Sequence, residues 1–119
     1  MSDPMAALLS PDYVDARTPF GTNTTIGVVA TNATLSKVQA NKLASIAHDG
    51  LALAVRPAHT MHDGDTIFAL GTGSLDKPAD MLRLGATAVT CVSRAIVRGV
   101  RLASGRDGIP SARQLSTGE

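Results

Sequence analysis

The stretch Gly21-Thr22-Asn23-Thr24-Thr25-Ile26-Gly27-Val28-Val29-Ala30-Thr31-Asn32 decides how the chain is read. A turn-forming Gly-Thr-Asn runs into threonine, isoleucine and valine, the residues that suit a pleated, half-buried strand. With a side-chain period of two, Thr24, Ile26, Val28 and Ala30 share one face, and Thr25, Gly27, Val29 and Thr31 share the other. The chemical interest lies at the Asn23–Thr24 bond. A cut there would give Thr24 a hydroxyl nucleophile beside its own α-amine, whose unperturbed pKa of about 7.7–8.0 suits it to take the hydroxyl proton. An ordinary Thr-rich strand after a turn accounts for the same residues.

Upstream, residues 1–20 (MSDPMAALLSPDYVDARTPF) hold three prolines and little periodicity. Ser2 or Asp3 before Pro4 suits the cap of a short helix ending near Pro11. The rest, to Gly21, reads as an exposed linker where a precursor would tolerate a nick. Downstream, Ser36 with Gln39 forms a capping-box pattern, so a helix is predicted from about Lys37 to Pro57. Its apolar positions, Leu35, Val38, Leu43, Ile46, Ala47, Leu51, Ala54 and Val55, recur at helical spacing. Gly50 within that pattern suggests close approach to a neighbour. A polar loop, His59-Thr60-Met61-His62-Asp63-Gly64-Asp65, leads to a second strand over 66–72. A second long helix is predicted from about Ala79 to Ala103. Leu82, Gly85, Val89, Val92, Ile96, Gly99 and Val100 form its apolar stripe, and Arg94, Arg98 and Arg101 a basic one, read as a solvated or oligomer-facing surface. Residues 104–119 read as a flexible tail.

The element order is therefore β-α-β-α, an α/β pattern. Two strands are too few to cover two long amphipathic helices and satisfy their own edges. Partner strands from elsewhere are expected.

Composition narrows the function classes. Of 119 residues, 44% are hydrophobic and 18% charged, the balance of a packed body. A formal net charge of +1 gives no field for nucleic acid or membrane, and 3% aromatics leaves few rings for base stacking. No apolar run reaches the roughly 18 residues of a membrane span. The single Cys91 forms no intrachain disulfide and is expected to pack as a small apolar residue. Met1–Leu9 lacks the pattern of a signal peptide, so a cytoplasmic setting is expected.

Asp63-Gly64-Asp65 sits at the mouth of the second strand. Alternation puts the two carboxylates on one side, and Gly64 permits a tight approach. Close carboxylates repel, so one would keep a proton while the other accepts a hydrogen bond. A turn using Asp and Gly for its geometry is the plainer account. His59, His62, Asp63 and Asp65 also offer metal-type donors, but their spacing matches no metal motif, and no metal or cofactor is expected. Gly71-Thr72-Gly73-Ser74 lacks the full pattern of a phosphate loop.

Three segments in order resemble a known family: residues 21–33, then Ala47-His48-Asp49-Gly50-Leu51-Ala52, then residues 57–70 (PAHTMHDGDTIFAL). They look like the C-terminal part of the DmpA-type L-aminopeptidase/D-esterase family, which also contains β-peptidyl aminopeptidases and the nylon-oligomer endo-hydrolase. The similarity runs from about residue 20 to residue 103.

The resemblance implies a precursor that cuts itself into an α chain and a β chain whose new N-terminal Ser or Thr is the nucleophile. Here the cut falls between Asn23 and Thr24, so residues 1–23 would be the end of the α-chain part and residues 24–103 the β-chain part. Asp63 and Asp65 occupy the places of the family's acidic pair and resemble its nylon-hydrolase version, with the freed amine and Asp65 together orienting and deprotonating the Thr24 hydroxyl and Asp63 supporting Asp65. The implied fold is a four-layer αββα sandwich similar to N-terminal-nucleophile hydrolases, assembled as homo-oligomers of αβ units, with a peptide or other amide as substrate. One departure is large: the family's α chain is nearly absent from this sequence. The competing expectation is therefore a non-catalytic truncated relative that buries its helices by self-association. An acyltransferase with an N-terminal Thr is a third option, which shares neither the 59–65 loop nor its spacing.

Overall fold

A computed structural model describes residues 3–13 and 23–117. The linker expected between Asp12 and Gly21 lies, from residue 14 on, outside the described residues. A short helix α1 (Pro4–Leu8) starts at Asp3, whose carboxylate accepts from the Met5 N–H, with Pro4 fitting the first turn. Then come β1 (Ile26–Thr34), α2 (Lys37–Ala54), β2 (Thr66–Pro78), α3 (Met81–Leu102) and a short α4 (Ala112–Thr117). The β-α-β-α order is as predicted.

β1 and β2 form a two-stranded parallel sheet, with Ile26 opposite Thr66, Val28 opposite Phe68 and Ala30 opposite Leu70. Helix α2 makes the crossover that parallel neighbours require. It starts where its sequence says. The Ser36 hydroxyl accepts from the Gln39 N–H, and the Gln39 side chain accepts from the Ser36 N–H. Helix α3 starts at Asp80, which accepts from the Arg83 N–H.

The core lies between one face of the sheet and the two long helices. Leu43, Ala47, Leu51, Ile67 and Ala88 are buried together, with Val29, Leu35, Ala69, Leu84, Val92 and Ile96 packed around them. Gly50 brings α2 and α3 close. A β-carbon there would run into the Val89 carbonyl oxygen and lie 2.9 Å from Val92 Cβ. Gly50→Ala should therefore destabilise the fold by about 1–3 kcal/mol through overpacking, more than alanine's helix propensity returns. Each kcal/mol corresponds to about 4 °C of melting temperature at a size between the small and the mid-sized domains, and a melting temperature equal to that of the parent chain would refute the close contact.

Among the described residues, the other face of the sheet is bare. Ile26 is 72% exposed, Val28 61%, Phe68 58% and Leu70 46%. Parallel sheets are ordinarily covered on both faces, so an exposed apolar face of this kind is unusual.

Several expectations need adjusting. β2 runs six residues past Thr72 because Leu75 and Pro78 pair with Ala33 and Thr34 across two register shifts, so Gly71–Ser74 lie in a strand and not in a loop. In α3, Leu82 and Val100 point outward, while Met81 and Leu84 pack on the core. The small Gly85 and Ala88 face inward, and the contact with α2 sets that rotation. Cys91 is exposed, not packed. Within the expected tail, Ser111 and Gln114 cap α4. No helix among the described residues is long and apolar enough to cross a membrane.

Candidate active site at the Asn23–Thr24 junction

The two strands begin beside one another, and the ladder continues past their ends toward the junction. Asn23 bridges Asp63 in parallel register. The Gly64 N–H donates to the Asn23 carbonyl at 2.9 Å, and the Thr66 N–H donates to the Thr25 carbonyl at 2.9 Å. These bonds lay the Asn23–Thr24 peptide alongside Asp63-Gly64-Asp65. Sequence positions some forty residues apart thus become neighbours.

Alternation then sorts the side chains. Thr24 falls on the bare face of the sheet with Ile26 and Val28, and it is exposed. Its hydroxyl sits over Gly64: a β-carbon on that residue would lie 2.9 Å from Thr24 Oγ1. Gly64 is the residue type that leaves this hydroxyl its space.

Asp65 takes the helix side, as does Ile67 two residues on. Its Oδ1 accepts from the Thr25 N–H at 2.9 Å, and its Oδ2 lies 3.2 Å from His59 Nδ1, with the Asp65 side chain 8% exposed. Both carboxylate oxygens are therefore engaged. The His59 ring rests near that of His48, with centroids 5.0 Å apart, and His59 has a positive φ of 58°. The turn that carries this strained residue aims Nδ1 at Asp65.

Asp63 closes its own loop. Its Oδ2 accepts from the Thr60 N–H at 2.7 Å. That bond, followed by one from the Thr60 side chain, holds the Asp63 carboxyl below its usual value. Partial burial opposes the shift, and the charges of His59 and His62 assist it. Asp63 thus rigidifies the turn from which Gly64 and Asp65 project.

The structure brings Asn23, Thr24, Asp63 and Asp65 into one cluster. Among the described residues, the carboxylates bond to Thr60, Thr25 and His59, and not to the Thr24 hydroxyl. Two contributors were not singled out for these tasks from sequence. His59 entered only as a possible metal donor, and nothing in its spacing announces the contact with Asp65. The Gly64 N–H is a backbone group, legible only through the glycine that carries it.

The site thus sets a strand-borne threonine beside a loop of two acids on an α/β scaffold. The chain matches Peptidase family S58 over residues 3–113 and belongs to that family. It is 43% identical over 125 residues to an uncharacterized aminopeptidase of Mycobacterium tuberculosis, covering 94% of this chain and 36% of that protein. It is 44% identical over 102 residues to an uncharacterized aminopeptidase of Mycobacterium leprae, covering 75% of this chain and 28% of that protein. A 6-aminohexanoate-oligomer endohydrolase of Agromyces is 32% identical over 90 residues, covering 71% of this chain and 25% of that protein. The chain spans about a third or less of the length of these relatives.

Proposed function

We propose that this chain is the nucleophile-bearing part of an amide or peptide hydrolase, of the aminopeptidase, β-peptidase or nylon-oligomer hydrolase type. Its catalytic group is the Thr24 hydroxyl, freed as a chain terminus by cleavage at Asn23–Thr24. The observation that carries the reading is the junction itself. Asn23–Thr24 lies extended beside the acidic loop, with the hydroxyl exposed over Gly64 and the following N–H held by Asp65.

Each residue has a task. In maturation the hydroxyl attacks the Asn23 carbonyl, and water opens the resulting ester. In turnover the freed amine takes the hydroxyl proton and Thr24 forms an acyl ester that water hydrolyses. Asp65 orients the nucleophile by gripping the next residue's N–H, and Asp63 supports Asp65 by fixing the loop. The bare apolar face of β1 and β2 is where a second sheet would stack in a four-layer αββα sandwich. An α-chain part would supply that sheet and the remaining walls of the site, and αβ units would assemble into a homo-oligomer.

Intact mass spectrometry of the purified full-length protein tests the reading. A species beginning at Thr24 is expected. A chain that stays whole at Asn23–Thr24 under all conditions of assembly would instead favour the non-catalytic, self-associating relative.

A further inference from the structure

Resting on that reading, we infer that the backbone N–H of Gly64 is the oxyanion donor for the attack of Thr24 on Asn23, and that the same donor afterwards receives the carbonyl oxygen of a substrate's acyl group. The bond is already in place. Gly64 N lies 2.9 Å from the Asn23 oxygen in the uncut chain, and that oxygen is the atom on which charge develops as the carbonyl is attacked. A parallel ladder makes bonds of this kind anywhere, and the next one, from Thr66 to Thr25, has the same length. The difference at Gly64 is that the bonded carbonyl belongs to the Asn23–Thr24 peptide, while the attacking hydroxyl lies over the donor's own α-carbon. One residue thus holds the electrophile by its nitrogen and makes room for the nucleophile by lacking a side chain. Any other residue type would set a β-carbon 2.9 Å from Thr24 Oγ1 and push the hydroxyl aside.

The step balances without further reagents than water. A bond forms between Thr24 Oγ1 and the Asn23 carbonyl carbon, and the carbonyl electron pair moves onto the oxygen that Gly64 N–H holds. The hydroxyl proton passes to the Thr24 nitrogen as the C–N bond breaks, leaving an ester and a free amine. Water then divides the ester into the Asn23 carboxylate and the Thr24 hydroxyl. In turnover the acyl group sits on the same Thr24 oxygen, so its carbonyl returns to the place that Asn23 has vacated. The donor needs no rearrangement between the two reactions.

The test replaces the Gly64 amide N–H by an ester oxygen, through incorporation of glycolic acid at that position in the full-length protein. Space around the hydroxyl is unchanged and only the donor is lost. Appearance of the Thr24-terminated species, followed by intact mass, should slow about 10²–10³-fold, the loss typical of one oxyanion donor. Cleavage within about threefold of the unmodified protein, taken as negligible beside that expected loss, would overturn the inference while leaving Thr24 as the nucleophile. An unmodified protein that never cuts would instead remove the parent reading, and this one with it. Amide exchange in the uncut Thr24→Ala protein gives a second measurement independent of how the ester variant folds. There the Gly64 N–H should be protected, and exchange at the rate of an unstructured peptide would also overturn the assignment.

Discussion

Thr24→Ala should leave a chain of undiminished mass that hydrolyses no amide or ester probe above background. The proposed chemistry places one oxygen at the centre of both reactions, so its removal takes away maturation and turnover together. The fold should not notice. Thr24 is exposed and its side chain lies over a glycine, a setting in which a substitution usually changes stability by no more than about 0.5 kcal/mol. The variant should therefore melt with the parent, which separates loss of chemistry from loss of structure. Thr24→Ser keeps the oxygen and should still cut and turn over. Thr25→Ala serves as the positional control: that side chain takes the opposite face of the strand, and cleavage at Asn23–Thr24 should persist without it. Self-cleavage or turnover in Thr24→Ala would end the assignment, because the proposed chemistry has no other nucleophile.

How much of this was legible beforehand depends on how local the cause is. The Ser36–Gln39 cap spans four residues, and both of its bonds form as the sequence implies. The alternation of β1 was equally readable, since a period of two fixes which side chains share a face. Gly50 announced a close contact, and the Val89 carbonyl supplies it. Non-local causes were not readable in the same way. The outward turn of Leu82 and the inward turn of Leu84 depend on where α2 sits, which the pattern of α3 alone does not contain. The length of β2 depends on Leu75 and Pro78 finding Ala33 and Thr34 across an irregular register. At the site, spacing brought the acids to the mouth of β2. Their bonding followed from the ladder: with Asn23 beside Asp63, Asp65 falls under the Thr25 N–H and on the far side of the sheet from the Thr24 hydroxyl. The resemblance implied a base shared between the freed amine and Asp65. The bond from the Thr25 N–H also suits Asp65 to a supporting role.

That distinction leads to an expected divergence between two substitutions at one position. Asp65→Ala removes the acceptor of a part-buried N–H and leaves His59 Nδ1 without its carboxylate. An N–H stranded in this way costs about 1–3 kcal/mol, visible as a lower melting temperature. The start of β1 would also loosen, and misplacement of a reacting group by about 1 Å costs about 10²-fold in rate, so cleavage at Asn23–Thr24 should slow by about that factor. Asp65→Asn retains an oxygen able to accept from Thr25, and its amide group can donate to a neutral His59 Nδ1. If Asp65 acts by holding the backbone, the Asn variant should recover most of the stability and cut within about tenfold of the parent. A proton acceptor would behave otherwise: general-base catalysis contributes about 10²–10⁴-fold, and an amide in place of the carboxylate would forfeit it with the fold intact. Rates of cleavage by intact mass, set beside melting temperatures for the two variants, decide between them. Rescue by Asn is the expected result, and equal loss of rate in Asn and Ala, with the Asn variant as stable as the parent, would return Asp65 to the role of base.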